Sequence, residues 1–116
     1  MKLFDSELRV MDVQWREGDL PARQIADVLT RQIGWNINTT YTLIKRCIGK
    51  GAIERREPGF VCRALVSREQ VQQEETQELI DRLFDGSADA LFASLLGSKR
   101  VSEEQMQRLR RMIDEM

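Results

Sequence analysis

Hydroxyl, amide and cationic side chains between Asn38 and Lys50 are the residues best suited to recognition chemistry. At a helical repeat of 3.6 residues, Asn38, Thr39, Tyr41, Thr42, Lys45 and Arg46 fall away from an apolar stripe of Leu43, Ile44, Cys47 and Ile48. Short hydroxyl side chains near a helix N-terminus reach base edges or phosphate oxygens at close range, and the first helical N–H groups favour phosphate. Arg46 carries the planar fork for a two-point contact with guanine or phosphate, whereas Lys45 and Lys50 suit single phosphate contacts. Thr and Lys are equally ordinary on a solvated helix face, so the helix by itself leaves both readings open.

The following segment favours nucleic acid. Arg55, Arg56 and Arg63 lie on or beside the turn Glu57-Pro58-Gly59, and residues 38–63 hold six basic and two acidic side chains. A basic hairpin next to a basic helix makes a continuous electrostatic footprint. The same charges could simply keep an edge hairpin soluble. The formal net charge of −1 hides an asymmetry: residues 1–66 carry 11 Lys/Arg and 8 Asp/Glu, residues 67–116 carry 7 and 11. A basic front and an acidic rear are expected where only the front meets phosphate.

Other chemistry finds little support. The chain has no histidine, which removes the usual general base and metal ligand. No nucleophile–base pair, phosphate loop or metal cluster appears, so neither an enzyme nor a cofactor or metal site is expected. Cys47 and Cys62 form no C-x-x-C pair and read as small packing residues. Trp15 and Trp35, each at a helix end, read as core anchors. No apolar run approaches the roughly 20 residues needed to span a bilayer. The segment Met1-Lys2-Leu3-Phe4-Asp5 lacks a long apolar stretch, which points to a cytoplasmic, non-membrane protein.

The elements that must position the basic residues can be read in order. Asp5-Ser6-Glu7 offers caps for a helix over about 6–16, with Leu8, Met11, Val13 and Trp15 apolar, and Glu17-Gly18-Asp19 ends it. Pro21 fits the first position of a second helix, whose apolar face is Ile25, Ala26, Val28 and Leu29 and whose C-cap is Gly34. Asn36 or Asn38 caps the third helix, which Gly51 terminates. Ala52 and Ile53 lead into a strand over Glu54-Arg55-Arg56, a type II turn and a second strand from Phe60 to Leu65. Three helices followed by a hairpin is the order of a winged helix-turn-helix, so the fold class is mainly α.

Beyond residue 66 the pattern changes. Ser67-Arg68-Glu69-Gln70 has capping-box form and opens a fourth helix, polar from Gln72 to Glu78 and then striped by Leu79, Ile80, Leu83 and Phe84. After Asp85-Gly86-Ser87, a fifth helix shows Ala88, Leu91, Phe92, Leu95 and Leu96. A second capping box, Ser102-Glu103-Glu104-Gln105, opens a last helix lined by Met106, Leu109, Met112, Ile113 and Met116. Short helices over some fifty residues form a marginal core alone. Burying the surplus against an identical copy is the simplest solution, although packing back on the first domain would also cover it. The expected division is therefore a winged-helix domain over 1–66 and a helical dimerisation domain over 67–116.

Several motifs carry a resemblance to the BlaI/MecI/CopY family of penicillinase and methicillin-resistance repressors. They are Ser6-Glu7-Leu8-x-Val10-Met11-x-Val13-x-Trp15, Ala22-Arg23-Gln24-Ile25-Ala26, Trp35-x-x-Asn38-Thr39-Thr40-Tyr41-Thr42-Leu43-Ile44-x-Arg46 and Lys50-Gly51-Ala52-Ile53, with Gly59-Phe60 and Leu65 in the hairpin. The resemblance implies a homodimer on double-stranded, inverted-repeat operator DNA, repressing a resistance or stress operon. The third helix would read the major groove through Asn38, Thr39, Thr40, Tyr41, Thr42 and Arg46, with Lys45 and Lys50 beside them. Arg23, Arg55 and Arg56 would hold backbone. An inactivating protease or sensor is the further partner implied. The chain departs from the family twice: the C-x-C pairs of the copper-sensing branch are absent, and Leu91-Phe92 stands where the β-lactam branch has a cleavable Asn-Phe bond. Two other functions fit the fold class: a winged-helix protein-interaction module, and a thiol-responsive regulator acting through Cys47 or Cys62.

Overall fold

The computed structural model describes residues 1–115; Met116, expected on the last apolar stripe, lies outside them. Two compact units divide the chain, Met1–Glu75 and a second from Thr76 onward.

The first unit begins with α1 (Asp5–Glu17). Its N-cap is Phe4, not the Asp5-Ser6 pair expected from side-chain chemistry. Phe4 has no side-chain acceptor, so Glu7 does the capping: its carboxylate accepts the Phe4 N–H at 2.8 Å. Val10, Met11 and Val13 are buried, and Leu8 and Trp15 flank them half-buried. Gln14 is buried too. Its amide donates to the Gly18 carbonyl at 2.6 Å and the Cys62 carbonyl at 3.0 Å, joining the end of α1 to the sheet.

A short strand follows that periodicity does not announce, β1 (Leu20–Pro21). Two residues are too few to alternate. Pro21 accordingly ends β1 and is the N-cap of α2 (Ala22–Ile33), one position before the one expected. Gly34 closes α2 in the left-handed conformation, φ 72°, ψ 20°, as its type suggests. Asn36 caps α3 (Ile37–Gly49), its side-chain oxygen accepting the Asn38 N–H at 2.7 Å.

The hairpin consists of β2 (Ile53–Arg56) and β3 (Val61–Ala64). The sheet order is β1-β3-β2, all antiparallel, with Leu20 opposite Cys62 and Arg55 opposite Cys62 on the other side. A cis bond precedes Pro58, and Gly59 and Phe60 both have positive φ, 92° and 50°. Ile25, Leu29, Leu43, Ile44, Cys47, Ile53 and Cys62 close the core under the three helices and the hairpin. This arrangement is a winged helix-turn-helix.

The capping box at Ser67 forms as read: Ser67 N–H donates to the Gln70 side chain at 2.8 Å, and Gln70 N–H to the Ser67 hydroxyl at 3.1 Å. It starts α4 (Arg68–Leu83). The division between units falls inside this helix, and Val71 is buried in the first unit's core. Trp15 donates its indole N–H to the Val66 carbonyl at 2.9 Å and lies under the Arg68 guanidinium, which pairs with Asp12.

The second unit holds the end of α4, then α5 (Ala88–Gly97) and α6 (Glu103–Asp114). Ser87 and Ser102 cap them, the latter as a full capping box with Gln105. Neither α5 nor α6 contains a buried residue. Phe92, Leu95, Leu96, Val101, Met106, Leu109, Met112 and Ile113 line an open apolar groove of about 380 Å³.

Candidate nucleic-acid interface

Two faces divide α3 cleanly. At 100° per residue, Asn38, Thr39, Tyr41, Thr42, Lys45 and Arg46 share an outer arc, and Leu43, Ile44 and Cys47 are buried opposite. Asn38, Thr39, Thr42, Lys45 and Arg46 are exposed, and Tyr41 is half-buried. The Thr42 hydroxyl donates to the Asn38 carbonyl at 3.0 Å, leaving its lone pairs outward. Among the described residues neither Lys45 nor Arg46 has an ion-pair partner. Two cations without an ion-pair partner on one exposed helix face suit an anionic ligand.

Two residues assigned to this interface from sequence do not belong there. Thr40 is fully buried. It stands three, four and seven residues from Leu43, Ile44 and Cys47, and so on the core face. Lys50 is also committed elsewhere. Its ammonium pairs with the Glu7 carboxylate at 2.6 Å, donates to the Lys2 carbonyl at 2.7 Å and lies 4.3 Å above the Phe4 ring. It fixes the end of α3 to the start of α1, a structural commitment that the sequence assignment did not include. Burial pushes the Glu7 carboxyl up, but the Lys50 ammonium, the Phe4 N–H and the charge of Arg46 together bring it below the usual carboxylate range.

The wing arginines separate in the same way. Arg55 and Arg56 are adjacent in β2 and point to opposite sides. Arg56 pairs with Glu54 at 3.1 Å on the face away from the core. Arg55 shares the face of Ile53 and Cys62 and stacks on Phe60, its guanidinium 3.7 Å from the ring centroid. Phe60 meets Tyr41 edge-to-face at 5.8 Å and 72°. Arg55 thus connects through Phe60 to the outer face of α3. Glu57 pairs with Arg55 at 2.6 Å and accepts the Phe60 N–H at 3.1 Å; that N–H and that guanidinium hold its carboxyl below the usual range. Phe60 was missed as a site residue because an aromatic opening a strand reads as packing. Arg23 is exposed on α2 and its ion-pair partner is Asp27, 3.2 Å away.

Cys47 and Cys62 are free and buried. Burial pushes their thiols up to about 12 and about 11, so neither is a thiolate at neutral pH. That chemistry does not suit a thiol-responsive switch.

The profile of the penicillinase repressor family matches residues 3–115. The chain belongs to this family. A penicillinase repressor of Bacillus licheniformis is 22% identical over 116 residues, which cover 98% of this chain and 91% of that protein. The methicillin resistance regulatory protein MecI of Staphylococcus aureus (strain N315) is 23% identical over 115 residues, 97% of this chain and 94% of the relative. Among solved structures, the DNA-binding domain of the repressor BlaI in solution superposes with a TM-score of 0.55 at 27% identity, covering 60% of this chain and 87% of that one. For this penicillinase-repressor family member, the Leu91–Phe92 bond lies inside α5. Among the described residues no helix is long and apolar enough to cross a membrane.

Proposed function

We propose that the protein is a dimeric, sequence-specific DNA-binding transcriptional repressor of a resistance or stress operon. The observation that carries this reading is the outer face of α3, where Lys45 and Arg46 stand unpaired beside Asn38, Thr39 and Thr42. Arg46 reads a base edge or clamps a phosphate, Asn38, Thr39, Tyr41 and Thr42 approach the groove, and Lys45, Arg23, Arg55 and Arg56 hold backbone. Residues 1–66 supply the DNA-binding domain and 67–116 the dimerisation domain.

The second copy covers the apolar face of the rear helices. Leu83, Phe92, Leu96, Leu109, Met112 and Ile113 are exposed, and Leu79, Phe84, Leu91 and Leu95 half-buried beside them. Ile80, by contrast, is already buried within the chain and adds little to such an interface. A two-fold dimer places two recognition helices on half-sites about one helical turn, roughly 34 Å, apart or a multiple of it. The dimer works in the cytoplasm, and a protease or sensor relieves repression.

The test is a titration of a labelled inverted-repeat fragment from the protein's own promoter at several salt concentrations, with wild type and Arg46→Ala in parallel. Salt-sensitive binding that Arg46→Ala weakens by about 10- to 100-fold supports the reading. Weak binding to any sequence, indifferent to Arg46, replaces it with a winged-helix interaction module.

A further inference from the structure

We infer that Phe60 is a positioning residue that locks the wing to α3, so that Arg55 meets the same duplex as Lys45 and Arg46. The inference rests on the DNA-binding reading and adds a role to a residue that touches no nucleic acid.

The hairpin is held at β3 by β1, whose Pro21 and Leu20 pair with Val61 and Cys62, but the turn beyond Val61 lies outside that ladder. Phe60 adds three contacts there. Its backbone carbonyl accepts the Ala22 N–H at 2.9 Å, fixing it to the start of α2. Its N–H donates to the Glu57 carboxylate at 3.1 Å, fixing it within the turn. Its ring lies between Tyr41 of α3 and the Arg55 guanidinium. The backbone has φ 50°, a left-handed conformation that a side chain with a Cβ adopts only when its surroundings hold it there.

The stacking decides what Arg55 can do. Its other partner, Glu57, belongs to the wing and moves with it. The ring of Phe60, in contact with both Arg55 and Tyr41, relates the Arg55 charge to the outer face of α3. With Nε donating to Glu57, the stacked guanidinium keeps its terminal NH2 groups for phosphate while the stack persists. An aliphatic side chain at 60 preserves apolar volume but offers no face to Arg55 and no edge to Tyr41.

The consequence is unusual for a neutral substitution: it changes the number of phosphates the protein engages. Each phosphate neutralised contributes about −0.9 to the slope of log K against log salt. The experiment measures that slope on the promoter fragment for wild type, Phe60→Leu, Phe60→Tyr, Arg55→Ala and the double variant Phe60→Leu/Arg55→Ala. Phe60→Leu is expected to reduce the slope by about one, as Arg55→Ala does, with no further loss in the double variant and restoration by Phe60→Tyr. A folding defect alone lowers the active fraction and leaves the slope unchanged. Should Phe60→Leu fail to fold, Tyr41→Ala removes the edge-to-face contact that joins Phe60 to α3 and carries the same expectation.

A wild-type slope in Phe60→Leu, or in Tyr41→Ala where that variant stands in, overturns the inference while the DNA-binding reading stands. An unchanged slope in Arg55→Ala overturns it as well, since Arg55 would then meet no phosphate. Wild-type protein without salt-dependent binding removes the DNA-binding reading and this inference with it.

Discussion

The two units use apolar residues differently. Among the described residues every buried hydrophobic side chain except Ile80 lies at or before Val71. In α5 and α6 nothing is buried, and Phe92, Leu96, Met112 and Ile113 are more than half exposed. The winged helix closes because three helices and a sheet surround one interior. The later helices are as well capped as the earlier ones, with side-chain caps at Ser87 and Ser102, yet caps fix helix ends and not an interior. Local helix signals and core formation are thus separate properties, and the second unit has the first without the second.

The largest expected effect breaks this contrast from its open side. Leu96→Glu combined with Ile113→Glu should leave the winged helix folded, by the dispersion of its amide resonances, and convert a dimer to a monomer in sedimentation equilibrium. Affinity for an inverted repeat should fall by about 100-fold or more, since the avidity of two linked half-site contacts is lost. The matching change on the closed side, Ile44→Ala, should cost about 2–5 kcal/mol of stability and leave the stoichiometry of the remaining folded protein unchanged. A wild-type protein that sediments as a monomer at micromolar concentration would end the dimer reading.

The same contrast explains what could be read without a structure. Helix ends were legible where residue type supplies the cap: Ser67 with Gln70, Ser102 with Gln105, Gly34 by its backbone, and Asn36 as one of two candidates with Asn38. They were not legible at Phe4, where the capping group is Glu7, three residues on. The short β1 was invisible because its pairing with β3 is a long-range event. On α3, the exposure of Asn38, Thr39, Thr42, Lys45 and Arg46 is legible from helical spacing. Thr40 could have been excluded by that same spacing, since it aligns with Leu43, Ile44 and Cys47. Lys50 could not, because its partner Glu7 lies 43 residues away. Nor was the contact of Phe60 with Tyr41 legible, because it joins two elements that sequence spacing does not relate.

A smaller effect concerns an ionic tie inside the closed unit. Glu7 is buried and receives both Lys50 and the Phe4 N–H. Lys50→Met leaves that carboxylate without its counter-charge and should cost about 2 kcal/mol at neutral pH, below the figure for a fully buried pair because Lys50 retains some solvent. The sign of the pH dependence follows from the lowered Glu7 carboxyl. A group whose folded value is depressed stabilises fully above its unfolded value, about 4.3, and that contribution disappears as the pH falls through the folded value. Urea titrations from pH 7 down to pH 3 should therefore show the gap between wild type and Lys50→Met narrowing below about pH 4.5. A gap constant with pH would mean that Lys50 acts through its contact with Phe4 and not through Glu7.

The smallest effect tests the two faces of α3 against each other. Thr40 lies in the core, and its hydroxyl has no hydrogen-bond partner there. An unpartnered buried hydroxyl is costly, and a methyl group of the same shape removes the cost. Thr40→Val should therefore be neutral or raise stability by up to ~1 kcal/mol. It should leave operator affinity and its salt dependence as they are, because nothing on the outer face changes. Thr39→Val, one residue away, makes the same chemical change on the exposed side. It should leave thermal stability nearly unaltered and shift discrimination between the operator and a mutated half-site. Loss of operator affinity in Thr40→Val at unchanged stability would show that the core threonine sets the height of α3 in the groove, and the division of the helix into a structural and a recognising face would have to be redrawn.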